Sequence, residues 1–235
     1  NKNKNFIKLC LNSRIVPQIT LQPIKRFNLD AAIIFSDILM IPNALGQKVS
    51  FSKGFGPKLE NLNFEKIKKI KKEKFIKSLT PVYNALKMTS KNKLLINKDL
   101  IGFTGGPWTV LVYMINQSSP KNKIDRNFFK DKFLFNDLFE VIEEFIKLHI
   151  FYQVKNGATI IQIFDSWAGL LDEDKKNKYI YKPTKEIVEF TKSLGVEVIC
   201  FPRSIKSYKD FCEVVKPSAI NIDYDVDPYK ISKEI

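Results

Sequence analysis

Three segments of this 235-residue chain place polar residues directly after short apolar runs, a pattern that puts chemistry at the end of a buried strand. The first is Asp30-Ala31-Ala32-Ile33-Ile34-Phe35-Ser36-Asp37-Ile38-Leu39. Asp37 there is a carboxylate framed by Phe35, Ile38 and Leu39, and an apolar frame costs it solvation unless a cation or several N–H donors satisfy it. The same residue types also suit a helix N-cap at a strand-to-helix turn, so Asp37 has a structural reading beside the chemical one.

The second segment runs Ile101-Gly102-Phe103-Thr104-Gly105-Gly106-Pro107-Trp108-Thr109-Val110-Leu111-Val112-Tyr113-Met114. Its glycines let a ligand approach the backbone, and Pro107 fits the first turn of a following helix. Tyr113, two turns in, either sends its hydroxyl toward a cavity or fills core. No GxxxxGK[ST] phosphate loop is present. In the third segment, Ile161-Gln162-Ile163-Phe164-Asp165-Ser166-Trp167-Ala168-Gly169-Leu170, Asp165 and Ser166 follow a buried strand without a histidine to complete a hydrolase triad. The single histidine, His149, shares a stripe with Leu138, Ile142 and Phe145 and reads as a packed helix residue.

The elements that must position these residues alternate between short β-branched runs and longer segments of helical period, as in repeated β-α units with a parallel sheet. Strands are predicted near Ala31–Phe35, Leu100–Gly105, Ala158–Phe164, Val196–Phe201 and Ala219–Asp223, all apolar enough to be covered on both faces. Helices are predicted over Phe64–Met88, split in two by Pro81, and over Trp108–Asn116, Phe135–Lys155, Thr184–Leu194 and Tyr208–Val215. Gly195 suits a C-cap, and Gln47–Lys58 reads as a loop or small hairpin.

The composition, 44% hydrophobic, fits one domain spanning residues 1–235. No run reaches the roughly 20 apolar residues of a membrane span, so a soluble protein without a membrane partner is expected. The first residues lack signal-peptide features and the chain does not begin with Met, which reads as a start lying upstream. Three cysteines, Cys10, Cys200 and Cys212, form neither a disulfide framework nor a zinc pattern and suit a reducing, cytoplasmic setting. The net charge of +14 raises nucleic-acid binding, but it comes almost wholly from lysines, with arginine only at Arg14, Arg26, Arg126 and Arg203. In Lys66–Lys74, Ile67 and Ile70 recur with Phe64 at helical spacing, so this run reads as an outer amphipathic helix with a wet face.

Taken in order and spacing, Phe35-Ser36-Asp37-Ile38-Leu39, Gly102-Phe103 through Pro107-Trp108-Thr109 to Tyr113, and Phe164-Asp165-Ser166-Trp167-Ala168-Gly169 closely resemble the uroporphyrinogen decarboxylase family. Thr20-Leu21-Gln22-Pro23-Ile24, Ala44-Leu45-Gly46 and Gly54-Phe55-Gly56-Pro57 support the match. The resemblance implies a (β/α)8 TIM barrel, incomplete in this chain. It also implies decarboxylation of the four acetates of uroporphyrinogen III to coproporphyrinogen III without metal or cofactor, by a homodimer. By motif position it makes Asp37 catalytic and assigns substrate contact to Asp37, Phe103, Gly105, Tyr113 and Ser166. The family's N-terminal arginine signature and C-terminal histidine have no counterpart here, and Phe201-Pro202-Arg203-Ser204 and Asp223-Tyr224 depart from the family's Phe-Pro-Lys-Gly and Asp-Trp. A zinc-dependent corrinoid or thiol methyltransferase of the same barrel class, needing a His/Cys cluster at the barrel mouth, and a basic nucleic-acid-binding protein are the rival readings.

Overall fold

A computed structural model describes residues 5–52, 54, 56–120, 124 and 132–235. Helices α1 (Phe6–Cys10) and α2 (Ile15–Arg26) precede β1 (Ala31–Ile33) and α3 (Met40–Ala44). An antiparallel hairpin of β2 (Val49–Ser52) and β3 (Gly56–Leu59) follows, then α4 (Phe64–Lys68), α5 (Lys72–Ser90) and β4 (Asp99–Gly105). Next come α6 (Pro107–Asn116), α7 (Lys132–Lys155), β5 (Ile160–Asp165), α8 (Glu173–Lys176) and α9 (Lys182–Ser193), the last two joined by a π-helical turn. The chain ends with β6 (Glu197–Pro202), α10 (Tyr208–Val215), β7 (Ala219–Ile220) and α11 (Pro228–Ile231).

Strands β1, β4, β5, β6 and β7 pair in parallel and in chain order. Sequential parallel strands with helices on the outer side define a TIM-type (β/α) barrel, seen here as a five-stranded arc. Burial alternates along it. Leu100, Ile161, Ile163 and Val198 are buried on the helix-covered side, whereas Ile33, Phe103 and Phe164 face the concave side and stay partly exposed. The expectation of strands covered on both faces is therefore corrected: helices cover one face of the arc only.

The helix predicted from Phe64 to Met88 also breaks elsewhere than expected. Pro81 lies inside a continuous α5, and the interruption falls at Lys71, whose backbone is extended. A mid-helix proline costs about 3 kcal/mol. The stripe Phe75, Leu79, Val82, Tyr83 and Leu86, each nearly inaccessible, offsets it by packing as one continuous face. The lysine run Lys66–Lys74 presents the expected wet face, but not as one helix, since it is divided between α4 and α5; Lys68 pairs with Asp137 at 2.9 Å and Lys72 with Glu144 of α7 at 2.5 Å. Gly195 follows α9 with φ +80°, and Gln47–Lys58 contains the hairpin, both as expected.

Helix α7 is clamped to β4 by buried Gln153, which donates to the Phe103 carbonyl at 2.9 Å and accepts from the Phe103 N–H at 3.0 Å. Gly102 makes this approach possible, since a Cβ there would stand 2.7 Å from Gln153 Oε1 and 3.0 Å from Ile161. Gly102→Ala is expected to destabilise the fold by about 1–3 kcal/mol. A thermal melt should then fall by roughly 3–10 °C.

Candidate active site at the strand ends

At the carboxyl end of β1 and its neighbours, a cavity of about 450 Å3 opens on the concave side. Its walls are apolar, formed by Ile19, Pro23, Ile33, Ile34, Phe35, Ile38, Phe103 and Phe164, and its polar groups are few: Thr20, Ser36, Asp37 and Ser166. An apolar pocket with a small number of convergent polar groups is the common form of a small-molecule site.

Asp37 follows the last residues of the first apolar run. Its Oδ1 accepts from the Leu39 N–H at 2.8 Å, and its carbonyl accepts from the Met40 N–H at 3.1 Å. The carboxylate thus braces the turn leading into α3, though the N-cap position itself is Leu39, which makes no side-chain cap. Burial pushes the Asp37 carboxyl above its ordinary range, and the Leu39 N–H only partly opposes that. The capping reading and the chemical reading meet in one side chain: one oxygen is engaged by the turn while the residue lines the cavity.

Of the residues expected to contact a ligand, the cavity brings together Asp37, Phe103 and Ser166. Gly105 is buried and not part of its wall; a Cβ there would meet Val110 Cγ2 at 2.8 Å and Ile38 Cβ at 3.3 Å, so this glycine lets β4 close against α6 and the Asp37 loop. Tyr113 lies on the second turn of α6, partly buried, with its ring edge-on to Trp167 at 5.7 Å, and it does not line this cavity. His149 is buried and bonded through Nδ1 to the Tyr83 hydroxyl at 3.1 Å, with its pKa pushed down to about 3 by burial, a packed residue as the sequence indicated.

Sequence reasoning set Asp165 just after a buried strand and gave it no role; the structure makes it the last residue of β5. It shares the helix-facing side of β5 with Ile161 and Ile163 and is 3% exposed. Helix α6 begins Gly106-Pro107 with no side-chain cap of its own. The Asp165 carboxylate fills that role from the neighbouring strand through the Thr109 main-chain N–H, and its Oδ1 also accepts from the Thr109 hydroxyl at 2.5 Å. The Thr109 main-chain N–H also favours the ionised form, yet burial outweighs both donors and the carboxyl is pushed up to about 6. Its Oδ2 is buried without a hydrogen-bond partner among the described residues. Gly106 leaves room for it, since a Cβ there would come within 3.0 Å of the carboxyl carbon. The clue was available in the strand's period-two alternation, which assigns position 165 to the covered face.

The fold and cavity together define a (β/α) barrel enzyme class with its site at the carboxyl ends of the strands. Within that class the match is specific. The family model "Uroporphyrinogen decarboxylase (URO-D)" matches residues 1–235. A uroporphyrinogen decarboxylase of Wolbachia sp. subsp. Drosophila simulans is 42% identical over 234 residues, covering 97% of this chain and 68% of the relative. One of Rickettsia bellii is 39% identical over 225 residues (94% and 66%), and one of Campylobacter jejuni 40% over 212 residues (88% and 62%). The chain therefore spans about two thirds of the length of the curated relatives it matches. A solved methyltransferase from Methanosarcina mazei superposes with a TM-score of 0.70 at 15% identity, over 95% of this chain and 75% of that one, a likeness of fold. The chain belongs to the uroporphyrinogen decarboxylase family, which takes its name from a carboxy-lyase of haem biosynthesis.

The raised Asp165 pKa carries a stability signature. A carboxyl whose folded pKa rises from 3.8 to about 6 contributes stability that is fully present below pH 3.8 and lost as pH rises through about 6. Two pKa units amount to about 3 kcal/mol. Chemical denaturation of the wild type and of Asp165→Asn at pH 4 and pH 7 should show the wild type losing about that much more stability between the two values than the variant, which cannot titrate there.

Proposed function

We propose that the protein acts as a uroporphyrinogen decarboxylase, replacing the four acetate side chains of uroporphyrinogen III by methyl groups to give coproporphyrinogen III. The observation that carries this reading is the placement of Asp37, a lone carboxylate among apolar walls, in a family whose relatives bear that name. The working assembly is a cytoplasmic homodimer that uses neither metal nor organic cofactor and binds no nucleic acid. No helix among the described residues is long and apolar enough to cross a membrane.

In each round a carboxylate leaves as carbon dioxide, the electrons of the broken C–C bond pass into the protonated pyrrole ring, a proton completes the methyl group, and the ring gives up its extra proton to restore the pyrrole. Protonating the ring first turns it into the electron sink, with positive charge spread onto the ring nitrogen. Asp37 faces that charge and the pyrrole N–H groups. At about 4 Å and an effective dielectric near 20, the attraction is worth about 4 kcal/mol before desolvation. Burial disfavours the ionised Asp37 carboxylate, and an array of N–H donors from a ligand restores it, so the pocket favours a ligand with several N–H groups.

Phe103 and Phe164 meet edge to face at 5.7 Å and give the ring faces an apolar wall. Ser166 and Tyr113 orient the acid side chains by hydrogen bonding to carboxylate oxygens, and Phe103 completes the wall. The Tyr113 ring packs edge-on against Trp167, next to Ser166 in the chain.

Asp37→Asn separates the two readings of this residue. The amide keeps the side chain's size and an oxygen for the Leu39 N–H, so the melting temperature should stay close to wild type. Without the negative charge, coproporphyrinogen formation should fall by about two to three powers of ten. Wild-type turnover in this variant would remove Asp37 from the chemistry. Prolonged chelation should leave turnover unchanged, and loss of activity restored by zinc would favour the methyltransferase reading.

A further inference from the structure

Ser166 lines the cavity, and the residues on either side of it are tied to the same helix. Asp165, before it, receives the Thr109 hydroxyl on Oδ1 at 2.5 Å. Trp167, after it, donates its main-chain N–H to that same Thr109 oxygen at 3.0 Å. A hydroxyl has one proton, and Thr109 gives it to Asp165, which leaves its lone pairs for Trp167. The Trp167 carbonyl in turn accepts from Trp108 Nε1 at 2.9 Å. The first turn of α6 thereby fixes both sides of the Ser166 residue from behind the sheet, while Ser166 itself faces the front.

We infer that Asp165 and Thr109 are positioning residues for Ser166, acting through a relay that runs from the Trp167 N–H to the Thr109 hydroxyl to the Asp165 carboxylate. The role of Ser166 rests on the function proposed above; the relay itself does not. Neither residue touches the substrate, since both are buried on the covered side. Their buried polar chain is retained at a desolvation cost that a pair of apolar residues would avoid, which fits a geometric duty better than a purely stabilising one.

The test is a double-variant cycle in the full-length protein, with two readouts: decarboxylation of uroporphyrinogen III and hydrogen exchange of the Trp167 amide. Thr109→Val is nearly isosteric but can neither donate nor accept. It should speed Trp167 exchange by about tenfold and lower kcat/KM by about tenfold or more, while Thr109→Ser should stay within about threefold of wild type. Added to Ser166→Ala, Thr109→Val should cost less than about threefold more, because the residue it positions is already gone. Fully multiplicative losses, or an unchanged Trp167 exchange rate, would overturn the inference. If Thr109→Val does not fold, Asp165→Leu, which has no oxygen to accept from the Thr109 hydroxyl, takes its place and should show the same non-additivity with Ser166→Ala. A wild-type protein that makes no coproporphyrinogen would defeat the proposed function, and the exchange rate in Thr109→Val would still decide whether the relay exists.

Discussion

The hydrogen bond between the Thr109 hydroxyl and the Asp165 carboxylate is the contact on which the architecture of the strand ends depends. A helix that follows a parallel strand must begin at the sheet's carboxyl edge with its first N–H groups unpaired. Helix α6 begins there with glycine and proline, which offer no capping side chain. The cap comes instead from the next strand, so β4, α6 and β5 are joined at one point. A side-chain cap is worth about 1 kcal/mol, and hydrogen bonds to a charged group about 1.5–3 kcal/mol. Burying a carboxylate costs a comparable amount, which is why the Asp165 pKa settles near 6 despite two donors.

That junction divides the work between two carboxylates by the alternation of a strand. Positions 161, 163 and 165 point to the helices, whereas 164 and 166 point to the concave side. Asp165 is accordingly behind the sheet and out of a ligand's reach, while Asp37 stands in front, in a loop that lets it line the cavity. Burial raises the pKa of both. Only for Asp37 can an incoming ligand reverse the shift, because only Asp37 can exchange poor solvation for new N–H donors.

The strands and the cavity-facing residues were legible in the sequence because both depend on local pattern. Apolar β-branched runs located all five strands, and a polar residue just past a run marks a strand end, which found Asp37 and Ser166. What was not legible depends on tertiary contact. Pro81 looked like a helix break, since nothing local reveals that α5 buries a continuous stripe on either side of it. Gly105 looked like a place of close ligand approach, yet the atoms close to it are Val110 and Ile38 from elements distant in sequence or a turn ahead. Asp165 was visible as a residue but not as a cap, because its partner lies 56 positions away on a helix whose missing cap becomes evident only with the structure. The charge run at Lys66–Lys74 was legible as a wet face because amphipathic spacing is itself local, but not the break between α4 and α5 inside it, nor its carboxylate partners on α7.

The same arc superposes on a methyltransferase at 15% identity, so the scaffold alone does not choose the chemistry. The choice falls to the side chains at the strand ends. A metal-dependent methyltransferase would need thiolates or imidazoles converging there. Among the described residues no three His, Cys, Asp or Glu side chains form such a group. The candidates are also unsuited individually. Cys10 and Cys200 are buried and do not line the cavity, and burial, with Asp37 adding to it at Cys10, pushes both thiols up. His149 is neutral but already bonded to Tyr83 beneath the helices. The feature left at the cavity is a carboxylate set in aromatic and aliphatic walls, which favours a partly apolar ligand that brings N–H groups of its own.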